Sequence, residues 1–166
     1  EAPAVPEPSP AERLALLRQR WERDPKSRLF LQLAEEYRRA GRLSEAVRIL
    51  ESGLAHHPSY VAAQVVMGRC LLETGDMPRA VTVLERALAL DPTQIVANRL
   101  LVEAYLGVEN VAKARERLDL FRLLNDRDTE IGSLEARIGA LGGVTRPVLT
   151  RGRGEDRSGR RRLPLP

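Results

Sequence analysis

Two histidines, one cysteine and a cluster of arginines are the residues of this chain whose chemistry could reach beyond packing. His56 and His57 are adjacent, and neighbouring residues on a helix point in different directions, so the pair makes a poor metal site. Their place just before Pro58, at a predicted helix end, suits a cation that complements the helix dipole. Cys70 stands alone, which excludes an intramolecular disulfide and a zinc cluster and leaves the role of a small buried hydrophobe. The sequence holds no phosphate-cradling glycine loop, no His-Glu-x-x-His and no nucleophile with a base at recognisable spacing. Arg151-Gly-Arg-Gly154 lacks the strand and helix of a nucleotide site. The expectation is a protein that is not an enzyme and carries neither cofactor nor metal.

The arginines are unevenly placed. Arg146, Arg151, Arg153, Arg157, Arg160, Arg161 and Arg162 face only Glu155 and Asp156, so the segment carries +5 of a net +4 and the body about −1. Such a tail could release counterions from nucleic acid or meet an acidic membrane surface. It has no aromatic residue to stack on bases and no long uninterrupted basic run, which favours an acidic protein partner over nucleic acid.

The elements that must position these residues repeat every 34 residues. Tyr37, Leu71 and Tyr105 are so spaced, as are Leu33, Met67 and Leu101, then Ala46, Ala80 and Ala114, and Leu50, Leu84 and Leu118, with Pro58 and Pro92 closing two units. A fixed period of this length marks stacked supersecondary units, none of which can bury its apolar face alone. Leu, Ala, Arg and Glu dominate and aromatic residues are few, so the units are helical and the fold class is all-α, an α-solenoid.

Residues 1–10, with four prolines, read as an extended arm. Ser9 and Pro10 form a cap and N1 pair, and Leu14, Leu17 and Trp21 share one face of a lead helix over 11–24. Three two-helix units follow at 27–60, 61–94 and 95–128. In the first, Gly41 ends one helix in a left-handed conformation and Ser44 is expected to cap the next. Small residues at Ala34 and Gly68, opposite Ala46 and Ala80, allow close approach of the paired helices. The third unit departs at Val102, Glu109, Phe121 and Asp126, where the others carry a small residue, glycine, a small residue and proline. Ile131, Leu134, Ile138 and Leu141 form the apolar stripe of a capping helix over 129–142, ended by Gly142-Gly143. Residues 143–166 have the composition of a disordered tail.

These residues resemble the tetratricopeptide repeat family. Its pattern of a bulky residue, Leu-Gly/Ala, Tyr, Gly, Ala, an aromatic or Leu, Ala and Pro is met here by Phe30, Leu33-Ala34, Tyr37, Gly41, Ala46, Leu50, Gly53 and Pro58, in three in-phase copies over 102 residues. The resemblance implies a right-handed superhelix whose first helices line a concave groove for a peptide or partner helix. Positions 2, 5, 9 and 12 of each first helix lie along one stripe. That stripe holds Arg28, Leu31, Glu35 and Arg38; Ala62, Val65, Arg69 and Leu72; and Val96, Arg99, Glu103 and Leu106. It is half apolar and net basic, suited to aliphatic anchors with acidic neighbours. On the competing reading Leu31, Val65, Val96 and Leu106 pack between neighbouring first helices. Family members that clamp acidic chaperone tails use Lys, Asn, Asn, Lys and Arg or Lys at five positions that here hold Leu31, Glu35, Val66, Val96 and Leu100, so no such clamp forms.

The functional expectation is a protein-binding adaptor within a multi-subunit assembly, its arms acting as tethers. The alternative is a nucleic-acid-associated protein that binds through the arginine tail. No apolar run reaches the roughly 18 residues of a membrane span, and none resembles a secretion signal, so the expected location is cytoplasmic. The start at Glu1 without methionine leaves an upstream anchor open. Arginine outnumbers lysine 25 to 2, in keeping with a GC-rich bacterial genome.

Overall fold

The computed structural model describes residues 7–142; the first six residues of the proline-rich arm and the whole arginine-rich tail lie outside the described residues. Eight helices follow in order: α1 (Pro10–Arg23), α2 (Phe30–Arg39), α3 (Leu43–His56), α4 (Val61–Thr74), α5 (Met77–Leu90), α6 (Ile95–Gly107), α7 (Val111–Leu124) and α8 (Glu130–Gly142). Each packs on its chain neighbours, and α4 also touches α2 and α6. The helices fit three hairpins, α2/α3, α4/α5 and α6/α7, between a lead helix and a closing one.

Local chemistry explains where the helices begin and end. Ser9 caps α1 with a reciprocal box: the Glu12 amide donates to Ser9 Oγ at 3.3 Å and the Ser9 amide donates to Glu12 Oε2 at 2.7 Å. The backbone donor, then the hydroxyl, hold the Glu12 carboxyl below its ordinary range. Asp76 and Asn110 cap α5 and α7 by accepting from the amides of Arg79 and Lys113. Ser44 does not cap α3, contrary to the sequence expectation. The helix already starts at Leu43, so Ser44 lies inside it and Arg42 takes the cap position without a side-chain cap. Arg42 pairs with Glu45 and lies 4.9 Å from the Tyr37 ring centroid.

Gly41 and Gly75 leave their helices with φ of 74° and 82°, where a Cβ is disfavoured. Glu109, the equivalent residue of the third unit, takes the same conformation at φ 58°. The third turn thus keeps its geometry at a steric cost of about 1–2 kcal/mol that glycine avoids.

The core is a continuous column. Phe30, Leu33 and Leu50, then Leu71 and Leu84, then Leu101, Leu118 and Phe121 are all but inaccessible, and Ile131, Leu134 and Ile138 of α8 close its end. Leu141, the last residue of the expected stripe on α8, is instead 36% exposed. At the other end Leu14, Leu17 and Trp21 of α1 are partly buried against the column.

Fit inside the column depends on side chains that are missing. A Cβ on Gly53 would stand 2.1 Å from the Phe30 ring, and one on Gly68 would stand 2.5 Å from Leu84 Cδ2. The nearest neighbour of Gly68 is therefore Leu84, four residues beyond the Ala80 singled out in the sequence. The pair Phe30 and Gly53 recurs 34 residues on as Gln64 and Ala87, then as Asn98 and Phe121, all buried. A large residue at one member goes with a small one at the other.

The two amides in that series join the repeats. Gln64 Nε2 donates to the Pro58 carbonyl at 2.7 Å, and Asn98 Nδ2 donates to the carbonyls of Pro92 at 3.1 Å and Gln94 at 2.9 Å. Each first helix is thereby tied to the proline that closes the preceding unit. Phe30 has no preceding unit to bind. Its ring stacks on His57, with centroids 6.0 Å apart, and meets Tyr60 edge-on.

Two glycine substitutions should move stability in opposite directions. Gly53→Ala drives a methyl into Phe30 and is expected to lower the unfolding free energy by about 1–3 kcal/mol. Gly132→Ala in α8 meets nothing within 4 Å and should raise it by up to about 1 kcal/mol through helix propensity. Urea unfolding followed by circular dichroism reads both.

Candidate protein-docking face

The first helices α2, α4 and α6 lie side by side, and the stripe read from the sequence distributes between their surface and the core. Arg28 is exposed, with its guanidinium 5.1 Å from the Tyr60 ring centroid. Leu31, Leu72 and Val96 are partly buried against the core, and Ala62 is exposed. Val65 at 6% exposure and Leu106 at 4% are buried members of the core and present little surface. Val65 lies on α4, which packs against both α2 and α6, and Leu106 lies on α6, which packs against both α4 and α8.

Half of the charged residues of the stripe are ion-paired. Arg38 Nη1 of α2 reaches Glu73 Oε1 of α4 at 3.0 Å, and Arg99 pairs with Glu103 one turn later at 2.8 Å. Glu73 lies one residue past Leu72, just off the stripe of positions 2, 5, 9 and 12, and the sequence reading missed it. With it included the face is nearly balanced in sign. Glu35 and Arg69 are the half-buried members that make no ion pair among the described residues. Leu31, Leu72 and Val96 are the partly buried aliphatic members of the same stripe.

The other chemically capable residues are engaged in structure. His57 Nε2 lies 2.6 Å from the Lys26 carbonyl while its ring stacks on Phe30. Cys70 is fully buried, and desolvation, followed by the nearby Glu73 carboxylate, pushes its thiol from 9.0 up to about 11. Tyr105 donates its hydroxyl to Glu85 Oε1 at 2.5 Å; burial first, then that bond, raises it from 10.0 to about 12. Among the described residues no group of three His, Cys, Asp or Glu could hold a metal ion, and no helix is long and apolar enough to cross a membrane.

Comparison with known proteins decides the family. Two tetratricopeptide repeat models match, one over residues 31–95 and the other over 75–138, together most of the chain. The chain belongs to the tetratricopeptide repeat family. Solved structures of the same fold include MamA, with a TM-score of 0.76 at 17% identity over 81% of this chain and 79% of that one. MamA 41-end from Desulfovibrio magneticus RS-1 gives 0.77 at 23% identity over 81% and 77%. The first TPR of Spaghetti (RPAP3) bound to an HSP90 peptide gives 0.67 at 16% identity over 71% and 94%. No curated protein sequence matches.

Within this family fold, the five positions of the chaperone-tail clamp offer no cation. Val66 and Leu100 are buried, Leu31 and Val96 are aliphatic and partly buried, and Glu35 is acidic. The repeat-to-repeat amides Gln64 and Asn98 also escaped the sequence reading. Their signal was present: both stand six residues after a closing proline and 34 apart.

The raised Cys70 and Tyr105 values set an alkaline limit. Above about pH 9 the unfolded chain loses protons that the folded one keeps, so stability is whole below pH 9 and falls as pH rises towards 12. Urea midpoints measured from pH 8 upward should decline in that window. Cys70→Ala should remove the earlier part of the decline and Tyr105→Phe the later part.

Proposed function

We propose that this chain is a non-catalytic adaptor that holds a peptide or helix of a partner protein against α2, α4 and α6. The observation that carries the reading is that Glu35 and Arg69, which make no ion pair among the described residues, share one stripe with partly buried Leu31, Leu72 and Val96. Apolar anchoring supplies most of the affinity in such a face, and the few unpaired charges set orientation and register. Arg28, Arg38, Arg99 and Glu103 are rim residues in this reading: their pairs with Tyr60, Glu73 and one another are exposed enough to exchange for ligand contacts. The net charge of the face is nearly even, so it selects amphipathic segments with charges of both signs over strongly acidic ones.

Family membership supports this class of role, since tetratricopeptide repeats are in general interaction modules, and a member of the same fold is solved with an HSP90 peptide bound. The domain plan follows the three units 27–60, 61–94 and 95–128, flanked by arms that serve as tethers in a cytoplasmic assembly. The arginines Arg151, Arg153, Arg157, Arg160, Arg161 and Arg162 provide the second reading, in which the tail binds nucleic acid.

Affinity capture from native cells separates these readings. Intact chain, chain cut after Gly143 and a Glu35→Arg, Arg69→Glu variant are used as baits, with and without nuclease. The adaptor reading predicts the same proteins on the intact and cut baits and their loss from the double variant. Loss with the cut, or with nuclease, would transfer the function to the tail.

A further inference from the structure

A groove of about 500 Å³ opens on the other side of the molecule, between the second helices of the first two hairpins. Leu54 of α3 and Val83 of α5 form apolar walls, Gln64 and Met67 of α4 are its buried members, and Glu51 and Arg86 are its charged ones, with Glu51 held by Arg79. Gln64 is 5% exposed. Its Nε2 is committed to the Pro58 carbonyl, which fixes the orientation of the amide, and its Oε1 has no hydrogen-bond partner among the described residues. A buried acceptor in that state is a standing demand for a donor.

The same chain contains the joint with the demand met. Asn98 is the repeat equivalent of Gln64, and Arg117 is the equivalent of Val83. Arg117 Nη1 donates to Asn98 Oδ1 at 3.1 Å, while Asn98 Nδ2 holds the Pro92 carbonyl. The acids near the two joints are already engaged, Glu85 by the Tyr105 hydroxyl and Glu51 by Arg79, so the arginine of the filled joint answers the amide alone. The open joint thus keeps the amide and lacks the arginine that satisfies it.

We propose that the groove between α3 and α5 docks an arginine side chain presented by an extended segment of a partner protein. Its guanidinium donates to Gln64 Oε1, as Arg117 does to Asn98 Oδ1, and its aliphatic stem lies against Leu54, Met67 and Val83. An arginine suits this groove better than a lysine because its stem packs on apolar walls while its weakly hydrated planar fork can bring a donor to the buried acceptor. Arg86 opposes the incoming charge and makes no ion pair among the described residues, so it tunes the affinity downward. This face is separate from the one on α2, α4 and α6, so a partner can engage both.

The test is an NMR titration of the intact, isotope-labelled chain with the capped peptide Ala-Leu-Arg-Leu-Ala and a twin carrying norleucine for arginine. The Gln64 side-chain amide should shift and saturate with the arginine peptide, and the twin should bind roughly tenfold more weakly or worse. Arg86→Glu should tighten the arginine peptide severalfold. Val83→Arg, which supplies from within the chain the residue the third repeat already has, should abolish the shift while leaving the circular dichroism spectrum unchanged. The proposal is overturned if Gln64 shows no saturable shift, if the two peptides bind alike, or if Arg86→Glu weakens binding. Shifts confined to the Glu35 and Arg69 face would overturn it as well and leave the adaptor reading standing.

Discussion

The structure depends on how each hairpin ends and the next begins. A helical hairpin of this size cannot bury its own apolar face, and a stack works only if each new hairpin is set at a fixed offset from the last. Here the offset is fixed by a buried amide that reaches back to a proline carbonyl, Gln64 to Pro58 and Asn98 to Pro92. The proline stops the second helix and leaves an unpaired carbonyl; the amide, four residues into the next first helix, satisfies it. Gln64 and Asn98 are removed from solvent, so an amide left without its carbonyl would carry the desolvation cost of an unmet polar group, about 1–3 kcal/mol.

From that offset the rest follows. The first helices come to lie next to one another, which buries Val65 and Leu106 in the core and brings Arg38 of α2 within 3.0 Å of Glu73 on α4. Within each hairpin the approach is set by paired sizes, Phe30 against the missing side chain of Gly53 and Leu84 against that of Gly68. The ends are closed by apolar packing, α1 laying partly buried Leu14, Leu17 and Trp21 against the first hairpin and α8 setting Ile131, Leu134 and Ile138 against the third, where the Arg122–Glu135 ion pair also joins α7 to α8. What remains outside is a face of mixed aliphatic and balanced charge on one side and a single open joint on the other.

The fold was legible in the sequence because its determinants are periodic. Side chains 34 residues apart occupy equivalent places, so the recurrence of Tyr37, Leu71 and Tyr105, or of Ala46, Ala80 and Ala114, carries the hairpin count directly. Helix ends were less legible. Ser44 has the composition of a cap, but Gly41 reverses the chain early enough that helical geometry begins at Leu43, and the cap position falls to Arg42. Glu109 hides a left-handed turn because the packed hairpin imposes a conformation its own residue type disfavours.

The docking face was the least legible part. A stripe drawn on one isolated helix counts four residues per helix and ignores what the neighbouring helix covers or pairs. Val65 and Leu106 are buried in the core, and Glu73, outside the stripe by one residue, cancels Arg38. The proposed adaptor role requires the first-helix face to be the working surface. The most direct measurement is amide hydrogen exchange of the intact chain, alone and with a captured partner protein bound. The account predicts added protection in peptides covering α2, α4 and α6 and in the Glu35 and Arg69 turns above all. Protection confined to residues 143–166, with those three helices unchanged, would contradict it.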